Sequence, residues 1–130
     1  MKVCFASYQA VMMLRGGPRT QIFQTKRCLE RLGVGVTLFD SWQELRRENV
    51  DLVHIFSANI GTFHLARVFQ QQGIPFVVTP IFWTRRSLTV VRAALTAERI
   101  AKRLVRGFWT DYGVIAEICR WAKAVLPNTT

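Results

Sequence analysis

The residues best suited to chemistry in this chain sit where apolar runs end. Arg15-Gly16-Gly17-Pro18-Arg19-Thr20 follows the first apolar run and opens a helical pattern. A loop in that place offers backbone N–H groups and the positive end of a helix dipole, which favour an anion such as phosphate. Arg15 and Arg19 add positive charge, and Gly16-Gly17 suits either a tight turn or the close approach of a ligand to the backbone. The string is neither G-x-G-x-x-G nor G-x-x-x-x-G-K-[ST], so dinucleotide and P-loop readings lack their residues. Gly33-Val34-Gly35 lies between helix and strand, at the wrong end of a sheet for either. Ser57 and Asn59 stand just past the run 51–56, where ligand-binding residues of open α/β sheets collect. His54 lies inside that run and reads as a buried, hydrogen-bonded core residue or, given a partner, as a base. His64 falls in a helical stretch, as packing or surface. Phe82 and Trp83 fit an acceptor cleft or the core equally. The two histidines are ten positions apart, and Cys4, Cys28 and Cys119 are scattered with no CxxC pair. No metal site and no disulfide framework is expected, which fits a reducing, cytoplasmic setting.

These residues need elements to hold them. Residues 3–6, 34–39, 51–56 and 75–80 are short, nearly continuous apolar runs, as expected of strands buried on both faces. Helical spacing spans 20–32 and 61–72, closed by Gly33 and Gly73, and a short helix is expected over 42–48, capped by Asp40 or Ser41. A further helical piece covers 112–121, and 124–126 reads as a fifth strand. The alternation predicts an α/β fold: a Rossmann-like open parallel sheet with helices on both faces. The chain of 130 residues makes one domain of 1–130, with no internal linker or repeat. Lys2 and the run 3–14 resemble a short signal peptide, but Ser7, Tyr8 and Gln9 interrupt it, so a buried first strand is expected. The longest apolar stretch, 74–83, holds Pro75, Thr79 and Pro80 and falls short of the roughly 20 residues a spanning helix needs.

Charge is uneven. Lysine and arginine number 18 against 8 acidic residues, a net charge of +10, and such a balance predicts an anionic partner. Residues 85–106 carry seven basic side chains and one acid, Glu98, and so hold +6 of that total. On a helical wheel Arg92, Arg99, Arg103 and Arg106 form one stripe, with Val90, Ala93, Ala94, Ala97, Ile100, Ala101 and Leu104 on the other side. Three readings stand: a solvated face, docking on anionic lipid at the inner face of a membrane, and nucleic acid. The last lacks any accompanying recognition motif, so no nucleic-acid partner is expected.

Five stretches stand in order along the chain: Gly16-Gly17-Pro18-Arg19-Thr20-Gln21, the helix end Cys28-Leu29-Glu30-Arg31-Leu32-Gly33 with Val34-Gly35-Val36-Thr37 after it, Asp51-Leu52-Val53-His54-Ile55-Phe56-Ser57, Pro75-Phe76-Val77-Val78-Thr79, and Ala124-Val125-Leu126-Pro127-Asn128-Thr129. Taken together they resemble the N-terminal domain of GT-B glycosyltransferases of the retaining family 4. The likeness runs along essentially the whole chain. It implies the acceptor-side half of a two-domain enzyme that moves a sugar from a nucleotide-sugar donor to a glycan or lipid-linked acceptor, with retention and without a required metal or tightly bound cofactor. Gly16, Gly17, Arg19 and Thr20 would then face donor phosphates, and Ser57, Asn59, Phe82 and Trp83 the acceptor cleft. The chain departs from the family where Ile81-Phe82-Trp83 replaces a His-containing pair, where Lys123 replaces Asp, and in having no E-x7-E donor motif. Ending just after a strand, it reads as a domain cut before its own end, without the C-terminal donor domain, inactive alone and prone to self-association through an open sheet edge. Two alternatives remain at this stage: a non-catalytic α/β module binding an anionic ligand or partner, and one chain of a split glycosyltransferase.

Overall fold

The computed structural model describes residues 1–81, 86–105 and 110–127. Five strands, β1 (Lys2–Ala6), β2 (Gly35–Leu38), β3 (Leu52–Phe56), β4 (Phe76–Thr79) and β5 (Ala124–Val125), form one parallel sheet in the order β2-β1-β3-β4-β5. Its helices are α1 (Gly17–Arg31), α2 (Ile60–Gln71), α3 (Leu88–Leu104) and α4 (Asp111–Trp121). This is the Rossmann-like open α/β arrangement that the apolar runs predict. Parallel pairing follows from them directly, since strands covered on both sides have no polar face to alternate.

Successive strand residues point to opposite faces, and two cores result. Cys4, Ala6, Val53, Ile55, Phe76 and Val78 meet Phe63, Ala66 and Phe69 of α2 and Val114 and Ile118 of α4. Val3, Phe5, Val36 and Phe56 meet Ile22 of α1 and Val11 on the other side. Val53, Ile55, Val78 and Ile118 are completely buried, each worth about 1.5–3 kcal/mol over the exposed state. α1 and α2 stop at Gly33 (φ +79°) and Gly73 (φ +66°), the left-handed positions expected of C-terminal glycines.

The structure departs from the sequence reading at one place. The helix expected over 42–48 is absent: Asp40 Oδ1 accepts the Trp42 amide at 2.9 Å, a turn follows, and only Arg47–Asn49 makes a 3-10 turn. An aspartate side chain that binds the backbone two residues on competes with helix formation. In α3, whose orientation the sequence leaves open, the most buried residue is Glu98, at 3% exposure, while Val90, Ile100 and Leu104 face solvent. Among the described residues no helix is long and apolar enough to cross a membrane.

Candidate functional site

The sheet order places a reversal between β1 and β3. The chain leaves β1 toward β2 on one side and leaves β3 toward β4 on the other, so the loops after these strands diverge and open a crevice at their carboxyl ends. Local bonds brace it. Ser7 Oγ donates to the Phe56 carbonyl at 2.8 Å, tying the exit of β1 to the end of β3. Tyr8 then packs against the start of α2, where a Cβ on Gly61 would come within 3.0 Å of the Tyr8 Cβ. Glycine there permits the close approach.

Beside this reversal, at the ends of β3 and β4, lies a cavity of about 680 Å³. Its lining combines polar groups of Ser57, Asn59, Arg86, Asp111 and Tyr112 with apolar surface of Ala58, Ile60, Pro80 and Ile115. Two helix starts converge on it. Asn59 caps α2 through a reciprocal pair: its Oδ1 accepts from the Thr62 amide at 3.2 Å, and Thr62 Oγ1 accepts from the Asn59 amide at 3.1 Å. Thr110 caps α4, accepting from the Gly113 amide at 3.1 Å. The α2 start carries partial positive charge suited to an anionic or strongly hydrogen-bonding ligand, whereas the α4 start is met by the Glu98 carboxylate. Ser57 (φ +72°) and Ile81 (φ +43°) are the non-glycine residues with left-handed backbone among those described, and both line this cavity. That conformation costs an L-residue about 1–3 kcal/mol and clusters at functional sites.

The α4 side is fixed by Glu98 of α3. Its carboxylate accepts the Thr110 amide at 3.1 Å and the Thr110 hydroxyl, and Lys102 Nζ lies 3.3 Å from Oε1. Burial works to raise the Glu98 carboxyl, but the Thr110 bonds and the Lys102 charge outweigh it and hold it below its ordinary value. Glu98 thereby neutralises the start of α4 and sets the position of Asp111 and Tyr112 in the cavity lining.

His54 is not at the cavity. It is buried on the α1 side, stacked 3.9 Å from Phe56, edge-on to Phe5 at 5.4 Å, with Nε2 2.9 Å from Thr79 Oγ1. Burial pushes it down to about 4, so it is neutral at pH 7. It is the hydrogen-bonded core residue among the two readings. His64 is exposed on α2 against Phe63. Burial raises the thiols of Cys4 and Cys119, which disfavours the reactive thiolate. Among the described residues no group of three or more His, Cys, Asp or Glu is placed to hold a metal ion.

A second, wider groove of about 1160 Å³ runs over the ends of β1 and β2, between Tyr8, Phe39, Trp42, His64 and Phe69. The Trp42 indole, 94% exposed, stands on its edge.

Of the residues singled out from sequence, Ser57 and Asn59 share the cavity. Gly16, Gly17, Arg19 and Thr20 stand apart from its lining, at the start of α1. There Arg19 Nη1 donates to the Met12 carbonyl at 3.4 Å and Thr20 Oγ1 to the Gly16 carbonyl at 3.4 Å. Gly16 is extended (φ 176°), neither glycine is left-handed, and a Cβ on Gly17 would meet nothing within 4 Å. No tight turn requires these glycines. Phe82, Trp83 and Arg106 lie outside the described residues; Arg92, Arg99 and Arg103 are on α3, and all three are exposed. Sequence reasoning does not single out Arg86, Tyr112 or Glu98 as site residues. The one signal it offers is Thr110-Asp111 ahead of an apolar helical run, an N-cap pattern that marks where α4 begins. No protein-family model, curated protein or solved structure matches the chain.

Proposed function

We propose that this chain is the acceptor-side domain of a nucleotide-sugar-dependent glycosyltransferase, and that the crevice after β3 and β4 receives the sugar acceptor. The observation that carries the reading is the cavity beside the sheet reversal, whose lining mixes hydroxyl, amide, guanidinium, carboxylate and phenol groups with apolar surface. A sugar ring asks for that combination: hydrogen bonds at its edge, apolar contact on its face. The loop at the start of α1 adds support. Its glycines answer no demand of the chain's own backbone, which leaves room for the donor's phosphates to approach the N–H groups of Gly16 and Gly17.

Catalysis in this reading is shared. The sequence holds no E-x7-E pair, and Ile81-Phe82-Trp83 contains no histidine. The nucleotide and the leaving group are therefore held by a second α/β domain, on the same polypeptide or another. This chain binds and orients the acceptor, and proximity is its contribution to rate.

The test is a titration of the isotope-labelled chain, followed by the backbone amide resonances, with UDP-, GDP- and ADP-linked hexoses and with free oligosaccharides. The expected result is displacement of the Ser57, Asn59, Asp111 and Tyr112 signals by a sugar and of the Gly16 and Gly17 signals by a nucleotide sugar. Silence at both sets of amides throughout the panel would overturn the reading.

A further inference from the structure

Helix α3 has three faces, and among the described residues only one packs on the rest of the domain. At about 100° per residue, Val91, Leu95, Glu98 and Lys102 form the side turned to α4. Roughly a quarter of a turn away on one flank lie Arg92, Arg99 and Arg103. On the other flank lie Val90, Ala93, Ala97, Ile100 and Leu104, spaced three and four residues apart. Ile100 is 58% and Leu104 83% exposed. The sole acid of the helix, Glu98, is turned inward and bound to Thr110 and Lys102, so neither outward face carries a negative charge.

We propose that α3 is an interfacial helix that lies along an anionic lipid surface, with Val90, Ile100 and Leu104 seated among the acyl chains and Arg92, Arg99 and Arg103 at the phosphates. Charge decides the occupant. Pairing with a second copy along the same stripe would set two arginine rows together with no acid to compensate, which repels. A polyanion such as nucleic acid would engage the arginines but leave the apolar stripe in water. An anionic bilayer satisfies both faces at once, the pattern of a helix lying in the membrane plane. Ala93 and Ala97 make the centre of the stripe low, which suits shallow seating. The attachment does not depend on the glycosyltransferase reading; it requires only the outward faces of α3.

The test is co-sedimentation of the 130-residue chain with phosphatidylglycerol and with phosphatidylcholine vesicles, at about 0.1 M and about 1 M salt. The parent is compared with Ile100→Asp/Leu104→Asp and with Arg92→Glu/Arg99→Glu/Arg103→Glu. All five positions are on the outward flanks of α3, and unchanged thermal midpoints verify folding. The expected result is binding to the anionic vesicles that weakens at high salt yet keeps a residue there, because apolar seating is not screened. The aspartate pair should lose roughly tenfold in partition and the whole salt-resistant fraction, and the arginine reversal should lose the preference for phosphatidylglycerol. Binding unaffected by the aspartate pair overturns seating, and so does binding that vanishes completely at high salt. Binding of a DNA duplex that competes with vesicles and survives the aspartate pair would assign the face to nucleic acid. A dimer in light scattering that the aspartate pair dissociates, without vesicle binding by the parent, would assign it to self-association.

Discussion

Glu98 and Thr110 are joined twice: the carboxylate of one accepts both the backbone amide, at 3.1 Å, and the hydroxyl of the other. Gly113 lies directly beneath, where a Cβ would run into the carboxylate. This knot decides which side of α3 meets α4, and it holds the α4 end of the cavity.

Removing either part should loosen that end. Glu98→Ala leaves the Thr110 amide without its acceptor and is expected to cost about 1–3 kcal/mol. Gly113→Ala forces the carboxylate aside at a similar cost, about 1–3 kcal/mol. The double variant should cost clearly less than the sum, because the methyl added at position 113 then has space. Urea midpoints of the parent and the three variants measure this. Strict additivity would show that the two residues do not share one contact.

Acid should destabilise the domain in two stages. His54 takes a proton in the unfolded chain near pH 6.5, but in the fold only near pH 4. Between those values the unfolded state binds more protons, so stability falls as pH falls, by about 3 kcal/mol over the interval. Glu98 acts lower. Its carboxyl is held below 4.5 in the fold, so its contribution is complete above that value and is lost as pH drops through the lowered one. His54→Leu should be less stable at pH 7, having lost the Thr79 bond, yet nearly flat between pH 6.5 and 4. An unchanged slope in that variant would exclude His54 as the source.

Strain and freedom at the two loops can be separated by glycine and alanine. Ser57→Gly relieves a left-handed serine and should raise stability by up to about 1 kcal/mol, while weakening any ligand that uses the hydroxyl. Gly17→Ala meets no neighbour and stands in the first turn of α1. It should leave stability level or raise it by up to about 1 kcal/mol, while lowering nucleotide-sugar affinity. Calorimetric melting beside ligand titration reads both. A Gly17→Ala variant that binds nucleotide sugars as the parent does would remove this loop from the donor site.

No sugar transfer is expected from the isolated chain with any nucleotide sugar, with or without added metal. Radiolabel transferred to an acceptor above a heat-killed control would contradict the division of labour between two domains.

Much of the architecture is legible in the sequence because its signals are local. The apolar runs, the Gly33 and Gly73 stops and the cap at Asn59 act within a few residues, and so does the placing of Ser57 and Asn59 beyond β3. What cannot be read there depends on partners brought together by the fold. Hydropathy alone leaves open which way the Val90–Leu104 side of α3 faces. The structure turns it outward because Glu98 finds Thr110, twelve residues further on. Arg86 and Tyr112 join Ser57 only once β4 and α4 are in place. At residues 40–46 one local signal loses to another, the Asp40 turn prevailing over a weak helical period.

The sheet order also has a consequence in time. β1 lies inside the sheet, but its inner neighbour β3 is 49 residues downstream, as the Lys2–Asp51 and Ser7–Phe56 bonds record. Emerging from a ribosome at about 5–20 residues per second, the first strand waits several seconds for that neighbour. During the wait its apolar residues can pair only with β2, which forms an edge and covers one side. Closing so long a loop before any central contact forms also slows folding. Nascent chains halted before residue 51 are therefore the state in which a chaperone would find Val3, Cys4 and Phe5 in the open.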